Sequence, residues 1–255
     1  MFYNINMKKH KHLALTITLS SIGALLLVST SAFFIYVNDY YHTTSYALTY
    51  LESDEKTEVT QYNDYITFTP KKNVQESGII FYPGGKVEFT AYAPLMKKLS
   101  DSGISTVLTK APFNLAVFNY NLADSKQDLF PNVTKWYIAG HSLGGSMAAK
   151  YLETHAVSYK GLILLGSYST SNLSSYSNLE TISFIASNDK ILSMSKYEAN
   201  KSNLPNLYEY TIKGGIHSYF GSYGLQKGDG IPTITYEEQT RIIISSIGAH
   251  LIRFL

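Results

Sequence analysis

Cysteine is absent from the 255-residue chain, which excludes disulfides, thiolate metal sites and a cysteine nucleophile. The lack is compatible with an oxidising compartment, where stray thiols are a liability. Charge is also sparse, at 16% of residues. The formal net charge of +2 owes three of its 21 bases to Lys8, Lys9 and Lys11, so from Asp39 onward 18 bases face 19 acids. No basic stripe remains for nucleic acid, and no field of one sign recruits a charged partner. There is no H-E-x-x-H string and no close set of His and carboxylates, so neither a metal nor a cofactor is expected. Gly84 and Gly85 lack the Lys-Ser or Lys-Thr ending of a phosphate-cradling loop. Repeats are missing too. What remains is 45% hydrophobic and 14% aromatic, with 22 Tyr, the composition of a globular chain with one sizeable core.

One long apolar run stands apart. Leu13 to Val37 holds no charged residue over 25 positions, and at about 1.5 Å per residue such a helix spans a hydrocarbon core of roughly 30 Å. The bases Lys8, Lys9 and Lys11 precede it, and Asp39, Glu52, Asp54 and Glu55 follow. That asymmetry holds the N-terminus in the cytoplasm and exports the rest. The expected organisation is a basic cytoplasmic segment (1–12), a transmembrane anchor (13–37), a polar Tyr-rich stalk (38–60) and one folded domain (61–255). A cleaved signal peptide is the competing reading, with Thr30, Ser31 and Ala32 at the cleavage site, which would make the protein secreted. Phe33 to Val37 continue the apolar run beyond that point, longer than a usual signal core of roughly 7 to 15 residues. Lipid attachment is excluded with cysteine.

Beyond the stalk, with its short helix around Tyr46 to Leu51, short β-branched runs alternate with helical patterns. This is the signature of a mostly parallel central sheet covered by helices on both faces, an α/β fold. The expected strands are Tyr65 to Phe68, Gly78 to Tyr82, Ser105 to Thr109, Trp136 to Ala139, Gly161 to Leu165, Thr181 to Ala186 and Leu207 to Ile212. The clearest helices are Ala91 to Leu99, Gly144 to Leu152 and Tyr236 to Phe254, the last with Ile243, Ile244, Ile247, Leu251 and Phe254 on one face.

The pentapeptide Gly140-His141-Ser142-Leu143-Gly144 lies between an expected strand and an expected helix. Small residues permit a tight bend there that exposes the Ser142 hydroxyl, and the following helix N-terminus favours an oxyanion. A plain glycine-rich turn is the bland alternative. On these five residues the chain resembles the α/β-hydrolase fold family, over about Tyr65 to Leu255. The resemblance implies a serine nucleophile whose partners follow in the order acid, then histidine. Asp189, just after the run Thr181 to Ala186, is the candidate orienting acid; its alternative is a turn residue. Glu180 and Asp229 are weaker candidates. Three histidines follow Ser142. His217, after Gly214 and Gly215, is the candidate base, whereas His155 and His250 read as structural.

The segment Tyr82-Pro83-Gly84-Gly85-Lys86 resembles the loop that supplies the second oxyanion-hole amide in this fold. The expected donors are Leu143 and either Gly85 or Lys86, with Gly84 allowing the substrate to approach the backbone. Tyr82 and Pro83 stand where lipases often carry His-Gly, a departure from the lipase pattern. The strings F-Y-P-G-G-K-V, A-P-F-N-L-A-V-F and G-I-H-S-Y-F-G-S-Y-G are similar to a small branch related to dienelactone-hydrolase-like domains, with Ser142 where those carry Cys. No large lid is encoded between Ser167 and Asn178. Loops therefore form the pocket wall, with Phe113, Asn114, Tyr219, Phe220 and Tyr223 flanking an open aromatic cleft suited to a small-molecule or lipid-like ester. A carboxylesterase-like serine hydrolase is the expectation. An acyltransferase with the same triad and a non-catalytic binding module on the same fold remain as alternatives.

Overall fold

The structure is a computed structural model that describes residues 2–253, in two units divided between Asp39 and Tyr40. The first is a single helix, α1 (Phe2–Asn38). Its segment Thr16–Asn38, 23 residues with mean hydropathy 1.8, is long and apolar enough to cross a membrane.

The second unit is built on eight strands: β1 (Thr57–Gln61), β2 (Tyr65–Pro70), β3 (Ser77–Tyr82), β4 (Ser105–Thr109), β5 (Lys135–His141), β6 (Gly161–Leu165), β7 (Glu180–Ala186) and β8 (Leu207–Ile212). They lie in the order β1-β2-β4-β3-β5-β6-β7-β8. β2 is antiparallel to β1 and β4, and every other pairing is parallel. The central strands read as unbroken apolar runs because both faces are covered. Side chains alternate across β3 accordingly. Ile79 and Phe81 join one core with Met96, Leu99, Phe184, Ile243 and Ile247, while Ile80 and Tyr82 join the other with Ile138, Ala148, Leu152 and Leu164.

The covering helices are α3 (Ala93–Asp101), α4 (Leu143–His155) and α6 (Tyr236–Arg253), with two short ones, α2 (Ser45–Leu48) and α5 (Met194–Asn200). Pro94 at the start of α3 fixes a helical φ there, and the residues just before form a 3-10 turn, Phe89–Tyr92. In α6 the expected face is buried at Ile243, Ile247 and Leu251; Phe254 lies outside the described residues.

The segment 38–60, expected as a stalk, folds largely into the second unit. Tyr41 bridges Val87, its ring packs on Tyr223 at 5.5 Å, Ala47 of α2 is fully buried, and β1 pairs with β2 along its whole length. β1 is an edge strand held by backbone hydrogen bonds, with only Thr57 buried. Its sequence Thr-Glu-Val-Thr-Gln therefore carries no apolar periodicity to reveal it.

Candidate active site

Ser142 stands where β5 ends and α4 begins, with φ 51° and ψ −123°, a left-handed backbone that an L-residue adopts only when its surroundings enforce it. Its N–H donates to Leu165 O at 3.0 Å, and the Ser167 hydroxyl donates to its carbonyl at 2.7 Å. Glycines make the bend possible by close approach. A Cβ on Gly140 would lie 2.5 Å from Gly144 C and Gly145 N, and one on Gly144 would collide with the carbonyls of Tyr82 and Pro83. The first turn of α4 thus comes down onto the end of β3, and its positive end faces the site.

Asp189 follows β7 by three residues. Its Oδ1 accepts the N–H groups of Ile191 and Leu192 at 2.7 and 2.8 Å, which fixes the carboxylate and leaves Oδ2 for His217 Nδ1 at 2.7 Å. Both side chains are 2% exposed. A carboxylate only accepts, so Nδ1 carries the proton and Nε2 keeps its lone pair, the tautomer a general base needs. His217 opens a 3-10 turn, His217–Phe220, which is clamped from two sides. Gln239 of α6 exchanges both hydrogen bonds with the Ile216 backbone, each at 3.0 Å. Asp229 accepts the N–H of His217 and Ser218, the Ser218 hydroxyl, and the N–H of Lys190 from the Asp189 loop. Burial alone would raise the Asp229 carboxyl, but the donors of Ser218, Gly230 and Lys190 outweigh it and hold it below the ordinary range. Asp229 is thus no orienting acid for the imidazole; it ties the acid loop to the base loop.

Ser142 and His217 line one cleft of about 300 Å³. The loop after β3 does not line this cleft but packs beside Leu143, which does. Gly84 N–H donates to Tyr92 Oη at 3.0 Å, and Lys86 N–H donates to Asn114 O at 2.8 Å, so both amides are spoken for. Lys86 is thereby removed from the expected donors. Gly85 lies close enough to Leu143 that an added Cβ would sit 2.8 Å from Leu143 Cδ2, and among the described residues no acceptor takes the amide of either. These two N–H groups form the candidate oxyanion pair.

The remaining wall differs from the aromatic cleft expected. It consists of Ser146, Gly166, Ser167, Tyr168 and the run Ile191, Leu192, Ser193 with Lys196. Phe220 is buried in the core and packs edge-on against His217, centroids 6.4 Å apart. Tyr219 lies in a different groove with Tyr46 and Tyr236, and neither Phe113 nor Asn114 lines the cleft. Gly84 is occupied by Tyr92. The parallel sheet explains the shift, because its crevice opens between the loops after β5, β6 and β7. The signal was present in Tyr168 and in Ile191 to Lys196, which closely follow the ends of β6 and β7. His155 stacks on Tyr151 at 4.0 Å and His250 meets Glu180 at 3.3 Å, both away from the cleft. No group of three or more His, Cys, Asp or Glu suited to a metal occurs among the described residues.

The Alpha/beta hydrolase family matches residues 78–241. No curated protein matches the chain by sequence. Among solved structures the fold is similar to Est1E from Butyrivibrio proteoclasticus, at TM-score 0.54 and 14% identity over 78% of this chain and 100% of that one. The esterase from the archaeon Pyrobaculum calidifontis gives 0.54 and 14% over 81% and 90%. Thermogutta terrifontis esterase 2, phosphonylated by cyclosarin, gives 0.54 and 15% over 79% and 96%. At such identities the likeness is one of fold.

Proposed function

The chain belongs to the alpha/beta hydrolase family, and we propose that it is a serine hydrolase of small esters, held at a membrane by α1 with its catalytic unit outside the cytoplasm. The observation that carries the reading is the His217–Asp189 hydrogen bond of 2.7 Å in a cleft shared with the strained Ser142. His217 Nε2 takes the Ser142 proton as Oγ attacks the carbonyl, and the imidazolium formed is stabilised by Asp189. The tetrahedral oxyanion is met by the amides of Gly85 and Leu143, each donor contributing about 3 kcal/mol. His217 then protonates the leaving group, the carbonyl reforms as an acyl-enzyme, and water activated by the same imidazole releases the acid. An acyltransferase differs only in the acceptor of that second step.

The cleft favours short substrates. The residues between β6 and β7 contain no helical insertion among those described, and the wall carries several hydroxyls, with Lys196 its only permanently charged side chain. A short acyl chain bearing a carboxylate or phosphate fits these walls better than a long alkyl chain. Membrane attachment rests on Thr16–Asn38 and on Lys8, Lys9 and Lys11 before it; N-terminal sequencing of the membrane fraction separates an anchor from a cleaved signal.

The decisive test is fluorophosphonate labelling of the full chain in detergent. Wild type labels, Ser142→Ala does not, and His217→Ala labels at least about a hundredfold more slowly. Labelling that persists in Ser142→Ala defeats the assignment.

A further inference from the structure

A second histidine sits against the candidate base. His141 is 1% exposed, and its ring centroid lies 4.5 Å from that of His217. Nothing in the acyl-transfer steps calls for it. Its neighbours are equally enclosed: Phe220 and Tyr223 at 5.5 and 6.4 Å, and Tyr92, whose side chain is fully buried. Burial and then the adjacent His217 keep His141 far below the ordinary histidine range, so it is neutral.

Tyr92 Oη accepts from Gly84 N–H at 3.0 Å and shares a second hydrogen bond of 2.8 Å with His141 Nδ1. In the tautomer that receives the tyrosine proton at Nδ1, the neutral imidazole carries its own proton on Nε2. His141 Nε2 has no hydrogen-bond partner among the described residues, and the ring stands against that of His217. A hydrogen-bonded chain runs from the oxyanion loop at Gly84 through Tyr92 to His141, and ring packing carries it on to His217. The loop is moulded on it, since a Cβ at Gly84 would come within 2.7 Å of both His141 Nδ1 and Tyr92 Oη.

We infer that Tyr92 and His141 are positioning residues that set the separation between the oxyanion amide of Gly85 and the imidazole of His217. The inference rests on the proposed hydrolase reading. Losing the Tyr92 hydroxyl would orphan the Gly84 amide and His141 Nδ1 together and release the loop on one side of the developing oxyanion. Ground-state binding in the cleft beneath would change little.

The test compares Tyr92→Phe, His141→Leu and His141→Asn in the full chain, with a short nitrophenyl ester as substrate and phenylboronic acid, which binds serine as a tetrahedral adduct, as the probe. Asn places an acceptor oxygen near the position of Nδ1, whereas Leu has none. Tyr92→Phe and His141→Leu should lower kcat about 10- to 100-fold with KM within about threefold, and weaken boronate inhibition in proportion. His141→Asn should stay closer to wild type. Unchanged kcat and boronate affinity, or Leu and Asn variants that behave alike, overturn the inference. A wild type that hydrolyses no ester and takes no boronate instead defeats the hydrolase reading. The chain of hydrogen bonds is then decided by 15N-histidine spectra, where neutral His141 with its proton on Nε2 supports it and a proton on Nδ1 refutes it.

Discussion

β7 has a buried histidine–carboxylate pair at each end. Past its C-terminal end Asp189 meets His217 at 2.7 Å; at its N-terminal end Glu180 meets His250 at 3.3 Å. Both histidines are 1% exposed. The difference is one of surroundings. Asp189 is held by two loop amides and by His217, whereas Glu180 also pairs with Lys160 at 3.1 Å. His217 opens on a cleft that contains a serine at a helix N-terminus. His250 lies under the Tyr208 ring, centroids 4.7 Å apart. A buried acid–imidazole pair is therefore not by itself a site. In a parallel sheet the strands deliver their loops and helix N-termini to the C-terminal edge, where the candidate nucleophile, the candidate oxyanion amides and the crevice are brought together.

The contrast breaks most sharply under amide substitution. Asp189→Asn should cut kcat about 10³- to 10⁴-fold with the fold intact, because an amide no longer fixes the productive tautomer. Glu180→Gln should leave kcat within about twofold and lower unfolding stability by about 1–3 kcal/mol in urea melts. Comparable losses of turnover from both would make the two ends equivalent. A smaller effect concerns pH. His141 titrates below the ordinary histidine value of 6.5, facing Tyr92, His217 and Tyr223, so below about pH 6.5 the unfolded chain takes up a proton the folded one refuses. Stability should fall as pH drops through that value. His141→Asn, lacking the group, should show a slope shallower by up to about 1.4 kcal/mol per pH unit. Equal slopes in urea melts from pH 7.5 to 5 would contradict it. Smallest is the cleft's cation: Lys196→Ala should reduce kcat/KM about two- to fivefold for an ester bearing a carboxylate and leave a neutral ester unchanged. Equal effects on the two esters would remove Lys196 from substrate recognition.

Most of the catalytic unit was legible in its sequence where burial is two-sided. Ser105 to Thr109 and Gly161 to Leu165 coincide with β4 and β6, since central strands of a parallel sheet read as apolar runs between turns; Leu207 to Ile212 coincides with β8, an edge strand whose Leu207, Tyr208, Tyr210 and Ile212 still mark it. β1 escaped notice because edge pairing is made by backbone atoms that every sequence possesses. The cleft wall was misplaced for a related reason. The aromatic residues near the motifs do not line it: Phe220 is buried in the core beside His217, and Ile191, Leu192 and Ser193 after β7, with Lys196 of α5, form the wall instead.

Local chemistry by itself determined the candidate elbow and the apolar helix that precedes it, and the resemblance that the elbow carries pointed to Asp189 and His217 in that order, because each is written in contiguous residues or in the ends of single strands. Only the tertiary structure decided which loop amides remain available at Gly85 and Leu143, that Asp229 ties the acid and base loops together, and that Tyr92 joins Gly84 to His141 beside His217. Those depend on contacts between separate loops, from 8 to 49 residues apart in sequence. Their directions follow from which donors and acceptors the packed sheet leaves facing one another, and no local pattern encodes that.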